Sequence, residues 1–373
     1  MKKVIFTFLF LHVIICCYSQ TIDEYLKAAV LKDSLHDFIG AISDYTKVIE
    51  MDSTSKTTFL KRGIAKDNME DFNGAIADYD KAIAIDSAYT EAYISRGISK
   101  DNLYNFNAAI ADYSQVINMN QKNLIAYVCR AISKDNLYDF EGAIADYTRV
   151  LQIDAKYLLA YINRGVAKDS LHDFKEAILD YTRAIDLNPA NAAVYLSRAI
   201  AKDSLQDYAG AIADYSKYIT FIADDANVFY WRALAKVNVK DYLSAIDDCE
   251  TAIQIKPKSA AAYKLIGSVK YKHQDYLGAI GDYNKAIAID SVYTDAYRSR
   301  GYAKANLRDY KGAIGDYNKA IEINTADADA YYNRGIIKIA INQKENGCVD
   351  LKKAVTLGHE GGRKLIKKYC ERN

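Results

Sequence analysis

The chain has 373 residues, 49 of them basic and 48 acidic, and half are apolar. This supports a folded core, and the balanced charge argues against a generic nucleic-acid binder or a polybasic membrane binder. Only 2 prolines exclude a Pro-rich linker of any size, while 32 tyrosines call for a structural account.

The chain opens with Lys2 and Lys3, then an apolar run from Val4 to Ile15 broken by Thr7 and His12. Cys17 and Ser19 supply small residues before a cut after Ser19, so residues 1–19 read as a signal peptide. The run falls short of the roughly 20 residues a transmembrane helix needs, and no later segment qualifies, so no membrane span is expected. Export to the periplasm or beyond follows. Lipoprotein anchoring through Cys16 or Cys17 is the alternative, although Ile15 and Cys16 are poor residues just before such a cut.

From Ile22 onward the pair Asp-Tyr returns every 34 residues: Asp44-Tyr45, Asp78-Tyr79, Asp112-Tyr113, Asp146-Tyr147, Asp180-Tyr181, Asp214-Tyr215, Asp282-Tyr283 and Asp316-Tyr317. Asp248-Cys249 and Asp350-Leu351 fill the two other slots. Ten in-phase repeats result, 22–55, 56–89, 90–123, 124–157, 158–191, 192–225, 226–259, 260–293, 294–327 and 328–361, followed by a tail, 362–373. A residue's place within its repeat is called its position, with Ile22 at position 1.

Each repeat carries two helical patterns. In 56–89, Phe59, Gly63, Ala65 and Met69 mark the first stripe, and Phe72, Ala75, Ile76, Tyr79, Ala82 and Ile83 the second. Asp71 precedes the second helix, where a carboxylate caps free N–H groups. Aspartate fills that slot in every repeat but two, which carry Asn105 and Gln343. Pro189 and Pro257 both fall at position 32, in the turn after the second helix.

An aromatic at position 4 from Tyr25 to Tyr331, Gly or Ala at 8, Ala at 20 in all but the last repeat (Gly347) and an aromatic at 24 resemble the tetratricopeptide repeat. The resemblance covers the chain between leader and tail. It implies an all-α, right-handed superhelical solenoid of ten antiparallel helix-turn-helix units, with a concave groove lined mainly by first helices. One departure is that positions 7 and 11, usually Leu and Tyr in the family, are Arg and Lys here. A single repeat cannot bury its own core, so the array is expected to act as one domain with capped ends. Leu365, Ile366 and Tyr369 among Arg363, Lys364, Lys367 and Lys368 predict a capping helix over 362–373.

Lysine stands at position 11 and aspartate at position 23 in all ten repeats, with arginine at position 7 in eight. A feature shared by every repeat reads as a structural ladder rather than a ligand track. The first repeat lacks the arginine, and the tail supplies Lys368 in the equivalent place. These exceptions suggest that the position-23 aspartate of one repeat meets the position-7 arginine of the next: Asp44 with Arg62, Asp78 with Arg96, Asp350 with Lys368. The position-11 lysine is expected to find its partner within its own repeat.

Positions that vary point to the ligand surface. In the family, positions 2, 5, 9, 12 and 13 commonly face the groove. Position 12 is Asp in the first six repeats, including Asp67, Asp101, Asp135, Asp169 and Asp203, and position 13 is Ser or Asn, including Asn68, Asn102 and Asn136. Ile64 and Ile98 at position 9 add an aliphatic floor. The aspartates have no cation at i±4, so their charge is expected to be available to an extended peptide. A merely solvated row is the plainer reading. From the seventh repeat Tyr230, Lys264, Arg298, Tyr302 and Tyr332 form a second, aromatic and more basic segment. Aromatics and Arg are typical interface anchors, though several of these side chains also suit a core.

Cys129 and Cys249 read as free, whereas Cys348 and Cys370 fall at one end of two antiparallel helices, so a disulfide is expected. No metal-ligand spacing, phosphate loop or nucleophile elbow is present, so neither a cofactor nor a metal is expected. The expected function is a non-catalytic scaffold for protein or extended peptide segments, without nucleic acid. A structural subunit of a cell-envelope assembly is the alternative.

Overall fold

A computed structural model describes residues 21–371. The expected leader and the last two residues of the tail lie outside them. All regular structure among these residues is helical, and no helix is long and apolar enough to cross a membrane.

The chain divides between Pro189 and Ala190 into two compact units. The first holds α1 (21–34), α2 (Phe38–Met51), α3 (Lys56–Asp67), α4 (Phe72–Ile85), α5 (Thr90–Asn102), α6 (Phe106–Met119), α7 (Leu124–Asn136), α8 (Phe140–Ile153), α9 (Leu158–Ser170) and α10 (Phe174–Leu187). The second holds α11 (Ala192–Ser204), α12 (Tyr208–Phe221), α13 (Ala226–Asn238), α14 (Tyr242–Ile255), α15 (Ala260–Lys272), α16 (Tyr276–Ile289), α17 (Thr294–Asn306), α18 (Tyr310–Ile323), α19 (Ala328–Ala340) and α20 (Lys344–Thr356). The expected capping helix is shorter than the sequence suggested: α21 (Gly361–Leu365) runs directly into one π-helical turn, Ile366–Cys370.

The turn inside each repeat is built the same way. Position 15 takes a left-handed conformation in all ten, as at Glu70 (φ 62°) and Gln206 (φ 62°). The N–H of position 16 returns to the carbonyl of position 11, as Asp71 does to Lys66 at 3.0 Å, and position 15 returns to position 12. This pair of backbone hydrogen bonds closes the first helix. The same Asp71 then caps the second helix by accepting from the Gly74 N–H at 3.0 Å.

Glycine at position 19 leaves room for that cap. Where it is glycine (Gly40, Gly74, Gly142, Gly210, Gly278, Gly312), the bond measures 2.9–3.0 Å. A Cβ there would overlap the capping carboxylate. At Ser244 the bond stretches to 3.4 Å. With Glu176 there, Asp173 makes no side-chain capping bond, and neither do Asn105 and Gln343, which replace the aspartate.

The core lies between the two helix layers. Alanines at position 20 and tyrosines at 24 are fully or almost fully buried. A Cβ at Gly63, Gly97 or Gly165 would come within 2.5–2.6 Å of the ring of Tyr79, Tyr113 or Tyr181, which explains the small residue at position 8. Twenty of the tyrosines occupy positions 4, 17 and 24, so repeat packing accounts for most of them.

The ion pairs run differently from the register the sequence suggested. Arg62 forks onto Asp78 of its own repeat, Nε to Oδ2 at 2.9 Å and Nη2 to Oδ1 at 2.6 Å, and Lys66 adds a third contact at 2.7 Å. The same triad recurs wherever position 7 is arginine, and Asp350 takes Arg334 and Lys338 rather than Lys368. The position-11 lysine does pair within its own repeat, from Lys32 to Lys338. The repeat-to-repeat link comes from the remaining guanidinium nitrogen, which reaches position 25 of the preceding repeat: Arg62 to Thr46, Arg96 to Asp80, Arg130 to Ser114. Where Ile266 replaces the arginine, Asp282 is held by Lys270 and Lys285.

Candidate functional site

The aspartates at position 12 sit near the C-terminal ends of first helices, with Asp67, Asp101 and Asp135 directly before the amides of Asn68, Asn102 and Asn136. Ile64 and Ile98, at 38% and 43% exposure, stand about one turn further back on the same helices. In the first unit α3 touches α5 and α5 touches α7, so these side chains share one layer. Among the described residues no lysine or arginine forms a salt bridge with Asp67, Asp101 or Asp135.

Hydroxyls do meet them, which the sequence reading did not foresee. Tyr79 donates to Asp67 at 2.5 Å, Tyr113 to Asp101 at 2.8 Å and Tyr147 to Asp135 at 2.8 Å. Ser99 and Ser133, at position 10 of the following repeat, donate to Asp67 and Asp101 at 2.7–2.9 Å. At Asp33, Asp135 and Asp169 the following repeat has alanine instead, and one oxygen is left over. Asp33 lies before Ala65 and Asp135 before Ala167, and each has one buried carboxylate oxygen without a hydrogen bond among the described residues. Asp169 has one too. The signal was present in the sequence as the two serines, Ser99 and Ser133, among the alanines of position 10.

Burial raises the carboxyl pKa of Asp67, Asp101, Asp169 and Asp203 above the ordinary range, and that of Asp135 to about 6. Tyrosine and serine donors pull Asp67 and Asp101 back down. Asp135 keeps a tyrosine donor but has no serine, and burial dominates its rise. Asp203 belongs to the second unit, on α11.

The second segment is partly consumed by its own packing. Tyr230 leans on the core cluster of Ala233, Ala245, Cys249 and Leu265, and Lys264 is half-buried. Arg298 is held by Asp295 at 2.6 Å and Asp327 at 2.9 Å. The Tyr302 hydroxyl accepts from Asn333 at 3.0 Å, and burial pushes its pKa up to about 12. Tyr332 stacks on His359 at 3.8 Å between ring centroids.

A family model described as tetratricopeptide repeat matches residues 159–191, and one described as TPR repeat matches 309–338. The chain is a tetratricopeptide repeat protein. A C-terminal part of a TPR repeat-containing protein from Cytophaga hutchinsonii is 18% identical with a TM-score of 0.55, covering 64% of this chain and 97% of its own. A tetratricopeptide repeat protein from Parabacteroides merdae is 20% identical with a TM-score of 0.51, covering 67% and 97%. These two show the fold. No curated protein matches in sequence.

At the C-terminal end of the tetratricopeptide array, Cys348 of α20 and Cys370 are joined by a disulfide. It ties the π-helical turn to the last repeat. Cys129 and Cys249 are free, and burial raises both thiols, to about 11 and about 12. Thiols shifted in that direction are poor nucleophiles. Among the described residues no three His, Cys, Asp or Glu side chains are grouped to hold a metal ion.

Proposed function

We propose that the chain is a non-catalytic scaffold that holds an extended, lysine- or arginine-bearing segment of another protein along the first-helix face of its repeats. One observation carries this reading. In the first six repeats the carboxylates at position 12 are half-buried, one to a repeat and, among the described residues, without a lysine or arginine salt bridge, beside exposed aliphatic and amide side chains. An uncompensated carboxylate already drawn from water attracts an incoming cation more strongly than a solvated one. The aliphatic row supplies apolar contact, and Asn68, Asn102 and Asn136 offer donors and acceptors to a peptide backbone.

The protein is further proposed to be exported, periplasmic or secreted, with lipid anchoring at Cys16 or Cys17 as the variant form. The disulfide supports an oxidising compartment.

The test is a fluorescence-anisotropy titration of labelled peptides alternating Lys with aliphatic residues. Asp101→Asn with Asp135→Asn is expected to weaken binding about tenfold or more at unchanged helicity. Affinity should increase from pH 5 to pH 7.5 as Asp135 ionises. Unchanged affinity in the double variant would overturn the reading. A partner that co-purifies in fixed stoichiometry and never exchanges would favour the envelope-subunit alternative.

A further inference from the structure

We infer that the pocket at the end of the last repeat is a docking site for a large apolar side chain carried by an acidic segment of a partner protein. The pocket holds about 390 Å³ and is lined by Tyr332, Ile336, Ile339 and Ala340 of α19 and by Leu365 and Tyr369 of the cap segment. Its size falls at the lower end of ligand clefts. Position 12, an aspartate in the first six repeats, is Ile339 here, so no carboxylate interrupts the floor.

Its walls are held in place before any ligand arrives. Tyr369 precedes Cys370, which is bonded to Cys348 of α20. Opposite, the Tyr332 ring is fixed by its stack on His359. A preformed apolar pocket spares the ordering cost of binding.

Charge identifies the occupant. The cap segment carries Arg363, Lys364, Lys367 and Lys368, all exposed, against Glu360 and Glu371. Among the described residues none of the four forms a salt bridge, and Asp350, the carboxylate that could have claimed Lys368, is filled by Arg334 and Lys338. Lys368 lies instead over the Tyr369 ring, 4.8 Å from its centroid, which puts an ammonium at the pocket wall. Carboxylates flanking an apolar anchor would meet these cations while the anchor fills the pocket.

The experiment titrates the full-length oxidised protein into a fluorescein-labelled peptide with one central Phe among Glu and Asp residues, read by anisotropy. Replacing that Phe by Ala is expected to weaken binding about tenfold or more. Ile336→Asp should do the same. The exposed pair Lys367→Glu and Lys368→Glu, expected to leave the circular dichroism spectrum unchanged, should weaken binding and flatten its salt dependence. Asp101→Asn with Asp135→Asn should leave this peptide's affinity unchanged, so this site and the acid row fail separately. Equal binding of the Phe and Ala peptides, or full binding by the charge-reversed protein, would overturn the proposal. So would saturation by dodecanoate without binding of the peptide.

Discussion

Arg62 and Asp78 face each other across one helical hairpin, and both nitrogen–oxygen bonds of the fork are made inside a single repeat. Planar forks of this kind are specific to arginine, because a lysine ammonium cannot engage both oxygens in parallel. In the fourth repeat, Arg130→Met should cost about 2 kcal/mol. That is less than a fully stranded buried charge, since Lys134 still neutralises Asp146. Arg130→Lys should recover less than half of the loss in urea unfolding. Full recovery would mean that the fork is not what holds the hairpin.

The helices were legible in the sequence because the apolar pattern of Phe72, Ala75, Tyr79 and Ala82 recurs at helical spacing from period to period. The ion register was not. From Asp78 to Arg62 is 16 residues around the turn at position 15, and from Asp78 to Arg96 is 18 around the turn at position 32. Both are antiparallel hairpins of similar reach, so spacing alone cannot choose between them. Only the packed geometry does.

Gly142 and Asp139 give a prediction in which a substitution changes sign with its background. Gly142→Ala alone should destabilise by about 0.5 kcal/mol, because the new Cβ displaces a cap that contributes about 1 kcal/mol. In an Asp139→Ala background the same change should stabilise by about 0.5–1 kcal/mol, since only helix propensity remains. Thermal melts of the four proteins close the cycle.

Glu70 and Gln206 occupy left-handed backbone that costs a non-glycine residue about 1 kcal/mol. Glu70→Gly and Gln206→Gly should each raise stability by about 0.5–1 kcal/mol, less the extra freedom glycine gains in the unfolded chain. A fall in melting temperature would show that those side chains hold the turn themselves.

Asp135 should make stability depend on pH. Its folded pKa of about 6 lies above the ordinary value for an aspartate. The neutral carboxyl is therefore favoured by folding, and this contribution is complete at low pH and lost as pH rises through 6. Asp135→Asn should stabilise by about 1 kcal/mol at pH 7.5, after allowance for solvent screening, and by almost nothing at pH 4. Ala167→Ser, copying the Ser99–Asp67 contact, should bring the Asp135 titration back down in a carbon-detected NMR experiment.

The candidate site was half legible. Asp67, Asp101 and Asp135 could be picked out because position 12 departs from aspartate later in the array. Their hydroxyl partners could not, because Tyr79 reaches Asp67 only once its own hairpin closes and Ser99 only once the next repeat stacks on it. The same limit hid Tyr332 and His359, which are brought together by the turn after α20.

The isoleucine at 266 divides the joints of the second unit into two kinds. Arg232, Arg300 and Arg334 reach back to Ser216, Asn284 and Asn318, whereas Ile266 is buried among Ala233, Ala245 and Cys249. Both kinds bury apolar side chains, and the first adds a guanidinium hydrogen bond to a neutral side chain of the repeat before. Ammonium sulfate tightens the apolar part of every joint. Among the described residues the joint between 226–259 and 260–293 goes without that guanidinium clasp, so it leans most heavily on the packing that salting-out reinforces.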